Sequence, residues 1–344
     1  MTLLVVAALI QWLALASLVM LIGAAALDLF VLPSNAPALG GARRSLRRWI
    51  GLSTAMLFVA TIGHLLIRTR TMSGGGLGAL MAAIPPVLTR THFGTIWIAR
   101  FAALAALTVC FAVPGRAARS VVFVLAVGLG LTTSLTGHAS DWGDFSVSLL
   151  VDYGHLLGAA VWMGGLLGLA VAVFPRVSRV PAPLVVSVAS RFSTLAGFML
   201  AIVVLSGSYN AWVQTRVVSA LWTTTYGRIL LVKICFVLIV VGFGALNRFA
   251  IIPGLAGTRP SGLVHRLLTR VAPVGPHVSS ESLRVQLAKY VVAEAVLGVM
   301  ILACTAMLTE SPPARHAIRM QHSGTMDDAA DEPRKATPHR HEAR

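Results

Sequence analysis

Apolar residues in this chain come in long unbroken runs, separated by short polar stretches rich in arginine, glycine and proline. A helix needs roughly 20 predominantly apolar residues to cross a bilayer. Runs on that scale cover 3–32, 50–67, 93–113, 119–137, 147–174, 188–212, 227–252 and 288–308. None alternates as a barrel strand would, and a helix satisfies its own backbone N–H and C=O groups where lipid offers no water. The pattern predicts an all-α polytopic membrane bundle of eight transmembrane helices over residues 1–310. Residues 311–344 are polar, Pro-containing and charged, the composition of a disordered tail. Pro33, Pro114, Pro175 and Pro253 each fall just after a run, where a missing N–H costs least. The stretch 68–92, with Gly74-Gly75-Gly76 and Pro85-Pro86, predicts a short interfacial turn rather than a domain.

Composition agrees with the pattern, since 56% of the 344 residues are hydrophobic and 12% charged, with a mean hydropathy of +0.81. Charge then sets orientation. The net charge of +16 does not point to nucleic acid, because the arginines occupy short loops rather than one periodic face. Arg43, Arg44, Arg47 and Arg48 lie in the first loop, Arg116 and Arg119 in the third, and Arg176 and Arg179 in the fifth; Arg259, Arg266, Arg270, Arg284 and Lys289 lie in or beside the seventh. Those loops are predicted to be cytoplasmic, with both termini periplasmic. The first run has no basic leader or small-residue cleavage site and reads as a retained helix. Cys110, Cys235 and Cys304 lie singly in apolar runs, which suits packing rather than a disulfide or thiolate site.

A faint repeat suggests two parallel halves of four helices each. Thr91-His92-Phe93-Gly94, followed by Arg100, matches Thr224-Thr225-Tyr226-Gly227, followed by Lys233, at the same spacing and at the start of the third and seventh helices.

Histidines fall at one end of this predicted topology. His64 lies near the end of the second helix, His92 at the start of the third, His138 just past the fourth and His155 about two turns into the fifth, so all four sit toward the outer face. Imidazoles from several helices suit a borderline-soft metal such as copper, and the thioethers of Met163, Met199 or Met307 would join for Cu(I). Asp152 precedes His155 by three residues, on the same helical face, as an orienting acceptor or a direct ligand. Tyr209, Asn210, Trp142 and Asp144 are placed to line the entrance. Each imidazole is equally at home as an ordinary interfacial residue.

Arg100 and Lys233 lie inside their helices, where a lone charge costs roughly 2.5–3.5 kcal/mol or more at the bilayer centre. Snorkelling to the interface, pairing with Asp152 or shaping an ion path would each compensate. Glu294 and Asp28 lie nearer the cytoplasmic side, as an inner relay for a cation or as structural partners of Asn247, Arg248 or Lys289. Small residues in the fifth helix, Gly158, Ala159, Gly164, Gly165 and Gly168, favour close packing in the bundle interior. The tail carries His316, Met320, His322, Met326, His339 and His341, a weak metal-scavenging signal.

Several stretches resemble the CopD/PcoD family of bacterial copper-resistance inner-membrane proteins. They are Thr136-Gly137-His138-Ala139, Asp152-Tyr153-Gly154-His155-Leu156 through Trp162-Met163-Gly164-Gly165, Arg191-Phe192-Ser193 leading to Ser206-Gly207-Ser208-Tyr209-Asn210-Ala211, and Thr225-Tyr226-Gly227 through Lys233 to Asn247-Arg248. Glu294-Ala295-Val296-Leu297-Gly298 with Ser311-Pro312-Pro313 closes the set, so the match runs over 130–313 and is looser before it. The resemblance implies a copper-homeostasis protein of the cytoplasmic membrane that takes copper from a periplasmic CopC-like carrier and moves it inward. Two other functions fit the same residues: a b-type cytochrome with haem held between helices, and a copper metallochaperone that delivers metal without transport. An enzyme is not expected, since no nucleophile elbow, HExxH or phosphate loop is present.

Overall fold

The computed structural model of the chain describes residues 2–137, 143, 146–258 and 279–311. His138, Trp142, Asp144, His265, His277 and the tail from residue 312 onward lie outside the described residues. Helices account for the fold, and no strand occurs among the described residues. The α-helices are α1 (Thr2–Ala26), α2 (Gly40–Ser73), α3 (Leu77–Arg90), α4 (His92–Ala112), α5 (Arg116–Ser134), α6 (Val147–Gly168), α7 (Ala182–Thr215), α8 (Ala220–Thr223), α9 (Thr225–Leu246), α10 (Ile252–Leu255) and α11 (Ser280–Glu310). Eight of the helical stretches are long and apolar enough to span a bilayer, and they coincide with the eight runs read from the sequence. The chain is therefore a multi-pass membrane protein.

Helices overrun the runs at their polar ends. α2 starts at Gly40 rather than 50 and α11 at Ser280 rather than 288, because residues such as Arg43, Arg47 and Arg284 continue a helix readily once it leaves the apolar layer. The stretch 68–92 also holds more structure than a turn. Gly74, at φ 63°, takes the left-handed conformation that ends α2, and α3 then runs through Pro85 and Pro86. Those prolines remove the donors owed to the carbonyls of Met81 and Ala82, two exposed residues, so the interruption does not strand buried polar groups.

Burial identifies α1 as the central element. It packs against α2, α5, α6 and α11, and Leu21, Ile22 and Ala24 are fully buried, as expected of a helix apolar all round. α6 crosses it at a glycine contact with no room for side chains. A Cβ on Gly164 would lie 1.9 Å from the Val19 carbonyl oxygen, and one on Gly23 would lie 2.1 Å from the Gly164 carbonyl carbon. On its other side α6 meets α7, where a Cβ on Gly165 would strike the Phe192 ring at 2.4 Å. Exposed apolar residues on the peripheral spans, such as Phe198, Leu205, Leu238 and Ile239, are the surface a bilayer would cover.

The faint repeat has a structural counterpart. Thr91 Oγ1 accepts from the Gly94 amide at 3.0 Å and donates to the Val87 carbonyl at 2.6 Å. Thr224 Oγ1 accepts from the Gly227 amide at 3.0 Å and donates to the Ala220 carbonyl at 2.7 Å. Each threonine thus caps a span and fastens it to the short helix before it, α3 or α8. Glycine is required three residues on, because a Cβ there would lie 2.2 Å (Gly94) or 2.0 Å (Gly227) from a carbonyl oxygen of that short helix. α1 and α6 also end alike, in π turns at Leu27–Val31 and Leu169–Val173.

At the end opposite His64 and His155, arginines tie the bundle together. Buried Asp28 accepts from Arg43 at 2.9 Å and from Arg119 at 3.3 Å, and Arg43 also donates to the Leu32 and Pro33 carbonyls. One carboxylate therefore joins α2 and α5 to the π turn of α1. Its partners are these loop arginines, not the Asn247, Arg248 or Lys289 weighed from sequence.

Candidate functional site

Two polar clusters lie toward the predicted outer end, one in each half. The first is built by α2, α4 and α5 around Trp97. The indole stacks on Phe93, with ring centroids 4.0 Å apart, lies 6.4 Å from the His64 ring in a stacked arrangement, and donates from Nε1 to the Thr61 carbonyl at 3.0 Å. Arg100 sits over the same indole at 4.3 Å. Its guanidinium donates to Thr132 Oγ1 at 2.9 Å and to the Thr132 carbonyl at 2.8 Å. Arg100 is buried, so hydrogen bonds and the aromatic face compensate its charge in place of snorkelling or Asp152. His64 lies within electrostatic range of Arg100 and Arg68. His92 opens α4 and is exposed.

The second cluster gathers on α6, α7, α9 and α11. His155 points its Nδ1–Cε1 edge at α7, so close that a Cβ on Gly207 would lie 3.0 Å from Cε1. Its Nδ1 is 3.1 Å from Ser206 Oγ. That hydroxyl also lies 2.5 Å from the Ile202 carbonyl, toward which it can donate. With the hydroxyl turned to Ile202, Nδ1–H donates to Ser206 Oγ and Nε2 keeps a lone pair. Asp152 is one turn before His155 on the same face. Lys233, from α9, is within electrostatic range of His155, Asp152 and Cys304. Asn210 stands one turn beyond Ser206 on α7, half-buried, while Tyr209 is exposed. Tyr153 turns away to donate to the Val127 carbonyl of α5 at 3.0 Å.

Deeper in the same half lie Met163 and Glu294. Met163 is buried, and a Cβ on Gly298 of α11 would lie 3.0 Å from its sulfur. Glu294, also buried, accepts from Asn247 Nδ2 at 2.6 Å. Of the partners weighed for it from sequence, Asn247 is the one it takes.

The described histidines do not converge: His64 lies against Trp97, His155 against Ser206, and His92 is exposed at the start of α4. No three His, Cys, Asp or Glu side chains come close enough to hold a metal ion among the described residues, and His138 lies outside them. Sequence reasoning missed Ser206, Trp97 and Thr132 as partners. A serine or threonine beside glycine or an aliphatic residue in a span carries no chemical signature until the opposing helix is known. Cys304, read as inert packing, proves to lie near Lys233.

Comparison with known proteins matches both halves. A family model described as "Copper resistance protein D-like, N-terminal domain" fits residues 1–145, and one described as "Copper resistance protein D" fits residues 186–308. His64 and Arg100 fall in the first stretch, and Ser206, Lys233, Asn247 and Glu294 in the second; Asp152, His155 and Met163 lie on α6 between the two. "Copper transport protein CutJ" of Bacillus subtilis (strain 168) is 28% identical over 275 residues, 77% of this chain and 46% of its own. "Copper resistance protein D" of Pseudomonas syringae pv. tomato is 31% identical over 255 residues, 69% of this chain and 79% of its own. The chain thus spans about half the length of the first relative and most of the second. No solved structure matches it. These relatives are named for copper resistance and transport, not for an enzymatic reaction. Two family models laid end to end along one bundle, with a relative 31% identical and matched over most of its length, show that the chain belongs to the copper resistance protein D family.

Proposed function

We propose that the protein binds copper at the outer end of its second half and passes it across the cytoplasmic membrane, acting as a permease and not as an enzyme. The observation that carries this reading is the pairing of His155 with Ser206: Nδ1 lies 3.1 Å from Ser206 Oγ, so Nε2 is the nitrogen that would take a metal. Asp152 supplies an anionic ligand one turn away, and His138, which follows α5 in the chain, would complete the set with a second imidazole. Met163, two turns further in, offers a thioether suited to Cu(I). His64 and His92 would capture the ion at the first half.

Lys233 supports this assignment through its charge. It lies within electrostatic range of Asp152, and an arriving copper ion would compete with it for that carboxylate. Arg100 holds the equivalent place in the first half, engaged by Thr132. Tyr209 and Asn210 would line the outer mouth, where a periplasmic CopC-like carrier would deliver copper. With both termini periplasmic, an inside-negative potential would favour net inward movement of positive charge by about 2.3 kcal/mol per net charge per 100 mV.

Transport is tested in liposomes that contain a copper indicator. Wild-type protein is expected to give copper accumulation above empty liposomes, and His155→Ala to slow the initial rate by about tenfold or more. Wild-type protein that retains bound copper but gives no accumulation would replace transport with delivery, the metallochaperone alternative.

A further inference from the structure

We infer that Glu294 and Asn247 form a proton-binding site inside the bundle, and that the proton held there is exchanged for the cation crossing the second half. The inference deepens the proposed function and rests on it for the passage of a cation. The proton site itself rests on separate observations.

Glu294 is 3% exposed and Asn247 6% exposed. Glu294 forms no ion pair among the described residues, although an uncompensated charge in such surroundings is costly. Among the described residues its one hydrogen bond comes from Asn247 Nδ2, and Asn247 Oδ1 is buried without a partner there. A carboxylate cannot satisfy that oxygen, because it has no hydrogen to give. A carboxylic acid can: Asn247 Nδ2–H donates to one oxygen of the acid, and the acid O–H is the donor that Oδ1 lacks. Asn247 opens the π turn Asn247–Ile251, the kind of helical irregularity that recurs at functional sites.

Other ionisable groups on the packed elements have partners of their own or lie toward the ends of the bundle; on α11 itself the Tyr290 hydroxyl accepts from Gln286 Nε2, and Lys289 is exposed. α11 packs chiefly against α9, α1 and α6 and the turns that follow α6 and α9. From α6, His155 is held by Ser206 and Tyr153 by Val127, and Asp152 lies within range of Lys233 of α9. Tyr226 and Arg228 belong to the first turn of α9, at its outer end. Toward the inner end, Arg248 donates to Ser193, Arg176 to the Ala172 carbonyl, and Arg284 to the Val180 carbonyl. Asp28, at the end of α1, is held by Arg43 and Arg119.

Position suits exchange. Along α11, Glu294 lies ten residues inward of Cys304, about 15 Å at 1.5 Å per residue. The Met163 sulfur rests against Gly298, one turn outward of Glu294. A cation leaving Asp152 and His155 for the inner face would pass Met163 and then reach this carboxyl. There the acid O–H bond breaks, the proton leaves to water, and the carboxylate takes the cation as counter-charge. When the cation moves on, a proton from water restores the acid. No electron is transferred.

Glu294→Gln is the informative variant, because a primary amide can accept from Asn247 Nδ2 and donate to Oδ1 as the acid does. In copper-free protein, infrared difference spectra between neutral and alkaline buffer should show a carboxylic-acid C=O band lost at high pH, and Glu294→Gln should lack it. Absence of the band in wild type, or its persistence in the variant, would overturn the proton site whatever happens at the copper site. In liposomes, an acidic interior should raise wild-type copper uptake several-fold and leave Glu294→Gln unresponsive. Equal responses in both would overturn the exchange. Failure of the copper site would instead abolish binding in both proteins and leave the infrared difference unchanged.

Discussion

Gly164→Leu is expected to leave no folded protein in detergent extracts of the membrane, judged by the loss of a monodisperse size-exclusion peak. Even the first carbon of a side chain at this position would lie 1.9 Å from the Val19 carbonyl oxygen and 2.9 Å from the Gly23 Cα. Both obstacles are backbone, so no rotamer change relieves them, and α1 must move bodily away from α6. Ordinary overpacking costs about 1–3 kcal/mol; separating the two most buried helices of the bundle exceeds that, because every contact along the seam is lost together. Gly164→Ala should fold with a clearly lowered Tm. Gly242→Ala on α9 is the matched control, since a Cβ there meets nothing within 4 Å, and alanine gains up to about 1 kcal/mol of helix propensity over glycine. A Gly164→Leu protein that eluted and melted like wild type would mean that α1 and α6 do not cross here.

The second large effect is expected at the metal. His155→Ala should weaken copper binding by well over a hundredfold, since it removes the imidazole that Ser206 orients. Ser206→Ala keeps the imidazole but frees its tautomer and orientation; outer-shell changes of that kind cost about 10–100-fold in metal affinity. The order of the two variants is the informative part. A serine replacement as damaging as loss of the histidine would indicate a repacked α6–α7 contact, which the Tm of the variant would reveal. Affinity unchanged in His155→Ala would remove this histidine from the site.

How far the sequence could be read depended on the range of the interaction concerned. Apolar run length is a local property with a physical threshold, the thickness of a bilayer, and all eight spans were legible from it. The Thr-x-x-Gly pattern before Arg100 and Lys233 was visible too, because cap and glycine act within one turn. α3 was not, because prolines argue against helix unless their orphaned carbonyls are known to be exposed. Partners across helices were legible only as types. Asp28 needed a cation, but that Arg43 and Arg119 supply it depends on how α2 and α5 pack beside α1. Asn247 was one of three partners weighed for Glu294, and the π turn that presents it leaves no mark in the residues Asn247–Ile251. The imidazoles of His64, His92, His138 and His155 share one predicted face of the membrane, yet depth alone does not say which helices are neighbours. His64 and His155 accordingly lie in different clusters.

Copper held by α6 at the outer end is the claim on which the proposed function turns, and X-ray absorption at the copper edge of metal-loaded protein addresses it most directly. Wild-type protein should show imidazole scattering from the bound ion, and His155→Ala, folded and equally pure, should lose most of its copper and show weaker imidazole scattering from what remains. An identical spectrum with undiminished copper content in His155→Ala would place the metal elsewhere in the bundle and contradict the account.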